Sequence, residues 1–103
     1  MSARSRNRGA EYEREVCAQL AKALGCKITR NLGQARDGGD DITIGVFRVE
    51  CKRRKALSVY EFVDQVVAAA KPGEVPLVIA RADRRESLVI LRLTDFLEME
   101  LMR

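Results

Sequence analysis

The sequence predicts an α/β fold: a central mixed β-sheet flanked by helices, in the order α-β-β-β-α-β-β-α. Three observations lead there. Residues 41–54 alternate apolar and polar side chains about a Gly-Val turn, as two half-buried antiparallel strands do. Residues 77–81, LVIAR, are almost continuously apolar, as in a strand covered on both faces. Between them lies an amphipathic helical stretch long enough to carry a right-handed crossover between parallel strands. At 103 residues the chain suits one compact domain, expected over 9–103 behind a basic, flexible N-terminal arm at 1–8.

The first helix is expected over 9–24. Val16, Cys17, Leu20, Ala21 and Leu24 recur at helical spacing, and Gly25 stops it. Glu13 stands three and four residues before Val16 and Cys17, so this carboxylate continues the apolar stripe. It lies either at the edge of the core or in a site. Residues 26–31 (CKITRN) form a short strand, and 32–39 (LGQARDGG) a glycine-bearing polar loop.

Ser58 and Glu61 have the spacing of a capping box. The helix they open carries Val59, Phe62, Val63, Val66, Val67 and Ala70 on one face, and Lys71-Pro72-Gly73 ends it. Residues 82–86 make a charged turn, and 87–92 (SLVILR) pair back on 77–81 as a hairpin. Thr94 caps a last helix bearing Phe96, Leu97 and Leu101.

Composition narrows the function. The chain is 47% apolar and 33% charged, the balance of a folded soluble domain, and no apolar run approaches the roughly 18–20 residues of a membrane span. MSARSRNRG is basic with no apolar stretch behind it, which is not the pattern of a secretory signal. A cytoplasmic location is expected, and the three cysteines, Cys17, Cys26 and Cys51, lack CxxC spacing and read as small buried residues. There is no histidine, so histidine-based nucleophile systems, Cys2His2 zinc sites and histidine-dependent nucleases are excluded. Net charge is +4, and the cations cluster at Arg4, Arg6 and Arg8, at Lys52–Lys55, and at Arg81, Arg84 and Arg85. Such clusters suit a polyanion such as DNA; solvated surface charge is the plainer alternative.

The hairpin is the most informative stretch. With Gly45-Val46 as a type II′ turn, Ile44 faces Phe47, Thr43 faces Arg48, Ile42 faces Val49 and Asp41 faces Glu50. One face then carries Ile42, Ile44, Phe47, Val49 and Cys51; the other carries Asp41, Thr43, Arg48, Glu50 and Lys52. Two carboxylates directly opposite, with Cβ atoms about 4.5–5.5 Å apart, destabilise a sheet. A hard divalent cation such as Mg²⁺ reverses that sign. Lys52 points to the same side, about 6.5–7 Å along the strand from Glu50. The alternative is a solvated face whose Lys and Arg neutralise two acids.

The pattern Gly9-x-x-Tyr12-Glu13, then Asp41-Ile42, then Glu50-Cys51-Lys52, then a helix bearing Gln65 resembles the PD-(D/E)XK nuclease superfamily. It is most similar to the archaeal type of Holliday junction resolvase and to related small phage nucleases, over roughly residues 6–81. The resemblance implies a restriction-endonuclease-like core and Mg²⁺-dependent cleavage of DNA, with Mn²⁺ as a substitute. It implies Asp41, Glu50 and the Cys51 carbonyl as metal ligands, Lys52 as the residue that positions the attacking water, and Glu13 as an additional acid. Arg8, Arg30, Arg53, Arg54 and Lys55 are expected to contact DNA, with Gln65 as an accessory residue. Branched DNA cut by a homodimer is the leading expectation. The alternatives are a same-fold nuclease of ordinary duplex, flaps or ends, and a non-catalytic nucleic-acid-binding module. Two departures stand out: Asp40 occupies a position that is often proline in that family, and the loop before it has no serine.

Overall fold

The structure is a computed structural model of the chain and describes residues 3–25, 28–31 and 41–101. Its elements are α1 (Ala3–Leu24), β1 (Thr29–Asn31), β2 (Asp41–Ile44), β3 (Phe47–Arg54), α2 (Val59–Ala69), β4 (Val75–Ala82), β5 (Leu88–Ile90) and α3 (Leu93–Leu101). The loop expected at 32–39 lies outside the described residues.

The strands form one sheet in the order β1-β2-β3-β4-β5. β3 and β4 are parallel and the other three pairs antiparallel, so the sheet is mixed. The parallel pair is joined through α2, because two parallel neighbours need a connection that travels back along the sheet. Gly45 has φ 55° and Val46 keeps a negative φ, the requirement of a II′ turn. The register that results pairs Ile42 with Val49, Thr43 with Arg48 and Ile44 with Phe47.

Strand alternation divides the apolar residues into two clusters, one on each face. Under α1, Tyr12, Val16, Ile42, Val49 and Ile79 are buried, with Cys17, Leu20, Ile44, Phe47 and Cys51 packed against them. Under α2, Phe62, Val66, Val78 and Ala80 are buried, with Leu57, Val63 and Ile90 around them. Each fully buried Val or Ile contributes about 1.5–3 kcal/mol, so both faces hold the sheet and neither helix is dispensable.

Several boundaries differ from expectation. α1 begins at Ala3 rather than at Gly9, so most of the basic segment taken as an arm is helix. Arginine is a good helix former, Gly9 has open space around it, and Arg8 is tied to Asp83 further along the chain. Ser58 is the N-cap of α2 but its side chain makes no capping bond, so the capping box is not formed. Thr94 lies inside α3; Arg92 precedes the helix and binds Asp95 through Nε at 2.9 Å. Lys71-Pro72-Gly73-Glu74 closes as a turn, with Glu74 N–H donating to the Lys71 carbonyl and Gly73 at φ 88°, where proline then glycine suits a type II turn. No helix among the described residues is long and apolar enough to cross a membrane.

Candidate active site

β3 supplies the site through its period of two. Val49 is buried under α1 and Cys51 packs against the same cluster, so Glu50 and Lys52 project to the face of α2. Lys52 Nζ lies 3.5 Å from Glu50 Oε1, and the two side chains are only 8% and 14% exposed. Parallel pairing with β4 sets Val78 beside Glu50 and Ala80 beside Lys52, both wholly buried. From α2 comes Phe62, whose ring centroid lies 5.6 Å from Lys52 Nζ and 5.7 Å from the Arg54 guanidinium carbon. The ion pair therefore sits on a floor of Val78, Ala80 and Phe62. An apolar floor keeps water off the charges and strengthens their attraction, and the ring face adds a favourable cation–π contact for each cation.

Asp41 is the first residue of β2, and its backbone pairs with Asn31. The β2–β3 register, carried one residue beyond Ile42 and Val49, brings position 41 across from position 50. The Asp41 and Arg30 side chains lie outside the described part of the structure. Among the described residues no group of three or more His, Cys, Asp or Glu is poised to hold a metal. The oxygen donors at this place are the Glu50 carboxylate and the Cys51 carbonyl, hard donors of the kind Mg²⁺ takes.

The remaining expected residues are distributed over the two layers. Glu13 is 5% exposed, as its place on the apolar stripe requires, yet it belongs to α1, which covers the face opposite Glu50 and Lys52. Arg53 alternates to the α1 side, where its Nε is 3.6 Å from Asp83 Oδ1, and Arg8 NH1 reaches Oδ2 of the same carboxylate at 3.5 Å. Arg54 stays on the α2 side against Phe62 and donates from NH1 to the Arg53 carbonyl. Lys55 and Gln65 are exposed. Tyr12 is a packing residue: it is almost fully buried, and its hydroxyl hydrogen-bonds Ser87 Oγ at 2.7 Å. Burial pushes its phenol above the ordinary value, partly offset by the Ser87 bond.

Two residues of consequence were not singled out from sequence. Phe62 carried a helical-stripe signal that reads as core, which it also is. Asp83 carried only one sign, a carboxylate interrupting the cations of 81–85.

No curated protein and no solved structure matched the chain. The model of one protein family, described as "Phage putative PDDEXK endonuclease", matches residues 4–103. That span contains the buried Glu50–Lys52 pair, the turn that sets its register and both helices that cover the sheet. The chain belongs to this PDDEXK endonuclease family.

Proposed function

We propose that the protein is a Mg²⁺-dependent endonuclease that hydrolyses phosphodiester bonds of branched DNA and works as a homodimer. The observation that carries the nuclease reading is the Glu50–Lys52 pair, 3.5 Å apart and almost enclosed, on a strand where Val49, the residue before Glu50, pairs with Ile42, the residue after Asp41. Asp41, Glu50 and the Cys51 carbonyl are the residues that would hold the ion. Bound there, it would supply positive charge to the scissile phosphate and to the attacking water.

The chain's own groups do the rest. Lys52, carried on the Phe62 ring and tethered by Glu50, presents its ammonium protons to the water and to a non-bridging phosphate oxygen. Val78, Ala80 and Phe62 exclude bulk water from that contact. Glu13 is the additional acid, carried on α1. Arg54 and Lys55 continue the positive charge beyond Lys52 and suit the flanking phosphates.

The dimer has its own support. Leu88 and Val89, on edge strand β5, are 47% and 62% exposed, and Phe96 and Leu97 of α3 are also exposed, so the last helix does not cover that strand. An uncharged apolar edge is a natural pairing surface for a second copy, and a two-fold pair would offer two sites to a symmetric junction.

The test is a panel of labelled four-way junction, flap, duplex and single-stranded DNA, with Mg²⁺, with Mn²⁺ and with a chelator. Metal-dependent cuts, fastest on the junction, are expected. Faster cutting of duplex or flap would move the substrate to ordinary DNA. Binding without cleavage under any metal would leave a nucleic-acid-binding module. Light scattering at micromolar concentration should give twice the chain mass; a monomer on the junction would remove paired cutting.

A further inference from the structure

The residues expected to touch DNA do not form one surface. Lys52 and Arg54 face α2, whereas Arg53 faces α1, and Arg81 stands beside Arg53 in the parallel β3–β4 ladder. Around Arg53 and Arg81 the chain gathers Arg8 from α1 and the 82–86 turn with Arg84 and Arg85. Arg8 and Arg53 both approach Asp83, and Arg81, Arg84 and Arg85 flank it in the chain, with Glu86 as the neighbouring acid. Asp83 is anchored by its N–H to the Arg54 carbonyl at 3.0 Å, so it is fixed at the end of β3.

Two features of this cluster are not explained by folding alone. Arg84 has φ 64°, the left-handed conformation that glycine or asparagine normally supplies at such a turn. The turn is held closed by Arg85 N–H on the Ala82 carbonyl at 3.1 Å and by Arg81 Nε on the Arg85 carbonyl at 2.7 Å. A bulky cation is therefore kept at a strained, exposed position where glycine would be easier. The second feature is a loose ion pair: Arg53 Nε and Asp83 Oδ1, both buried, stand 3.6 Å apart and neither makes a hydrogen bond. Asp83 accepts from Arg8 NH1 through Oδ2 at a long 3.5 Å, and its approach to Arg53 leaves the Arg53 Nε donor unspent.

We propose that Arg8, Arg53, Arg81 and Arg84 form a second, non-catalytic phosphate-binding site for the nucleic-acid backbone, on the α1 side of the sheet, with Asp83 as its built-in competing anion. This rests on the reading of the protein as a DNA enzyme, and adds to it a site on the opposite face of the sheet from Glu50 and Lys52. A backbone phosphate offers the oxygen that Arg53 Nε lacks in Asp83 and a closer acceptor than Arg8 finds there, and arginine suits it by its planar fork of donors. Asp83 lowers the local charge when DNA is absent and weakens binding when it is present. The site would hold DNA beyond the scissile bond, with Arg84 projecting from the turn towards it.

The experiment is metal-free titration of a short labelled duplex, followed by anisotropy over a range of salt, with single-turnover cleavage measured at saturating DNA. Arg84→Gly should melt at a higher temperature than the natural chain, because the turn is relieved, yet bind about fivefold more weakly at low salt, with a log–log salt slope smaller by about one. Its cleavage rate at saturation should be unchanged. Arg84→Lys, which keeps the charge, should bind close to the natural chain. Asp83→Asn should bind more tightly with a steeper slope. Natural affinity and slope in Arg84→Gly would overturn the site, and weaker binding by Asp83→Asn would overturn the competing anion. Loss of affinity in Arg84→Gly with no cleavage by any variant would uphold the site and refute only the nuclease reading.

Discussion

Lys52 Nζ lies 3.5 Å from Glu50 Oε1 on the α2 face of β3, and both side chains are nearly enclosed. Removing either partner strands the other charge in a poorly hydrated place. Glu50→Ala should abolish cleavage and lower stability by about 1–3 kcal/mol, less than a fully buried pair would lose because the Phe62 ring still holds the ammonium. Glu50→Ala and Lys52→Met, singly and together, form a double-mutant cycle read by urea denaturation. A coupling near zero would show that the two charges do not support one another.

Phe62 is both core and platform. Phe62→Ala should cost about 3–5 kcal/mol by opening a cavity beside Val66 and Val78. Phe62→Leu keeps most of the packing at a cost of about 1–2 kcal/mol and removes only the ring face. Its cleavage rate should nonetheless fall, since Lys52 and Arg54 lose their common support. Unaltered cleavage by the folded leucine variant would reduce Phe62 to packing alone.

Ala80 is fully buried beside Lys52 in the β3–β4 ladder. Ala80→Val adds two methyl groups where there is no space and should destabilise by about 1–3 kcal/mol. The displaced neighbour is Lys52, so kcat should drop more than DNA affinity does. Equal losses in both would place the damage elsewhere in the fold.

Gly45 adopts φ 55° in the hairpin turn, with open space where a side chain would stand. Gly45→Ala is therefore a backbone test, expected to cost about 1–2 kcal/mol. Because that turn sets the register that aligns position 41 with Glu50, Gly45→Ala should also weaken metal binding measured by titration calorimetry. A variant of lowered stability but natural metal affinity would uncouple turn from register.

The Tyr12 phenol is raised by burial above its ordinary value of 10.0. Folded and unfolded chains hold this proton equally below about pH 10. Above it the unfolded chain releases the proton first, so stability from this site is whole below that value and is lost as pH rises through the folded pKa. Tyr12→Phe should lose about 1 kcal/mol at neutral pH, from the Ser87 bond, and show a shallower decline in alkaline denaturation. An alkaline limb identical to the natural chain's would mean that another group governs it.

The features the sequence determined by itself are local ones. Alternation over 41–54 with glycine at the turn specified which residues face the core, because one residue of slippage would have exposed Ile42 and Val49. The same alternation brought Glu50 and Lys52 to one side, which the short motif around Cys51 also marked. The 59–71 periodicity similarly implied a helix between two parallel strands, and α2 joins β3 to β4.

The remaining features depend on which distant segments meet. Glu13 was legible as a stripe residue, but its layer follows from how α1 docks over Val49 and Ile79. Asp83 lies 75 residues from Arg8 in the chain, and no spacing rule reaches that far. Ser58 had the composition of a cap but makes no capping bond, because a motif specifies the residues able to bond and not the backbone angle that lets them. Arg53 and Arg54 are neighbours in sequence and opposites in space: a strand's period of two sent one to Asp83 and the other to Phe62, and the partner each met there was set by packing.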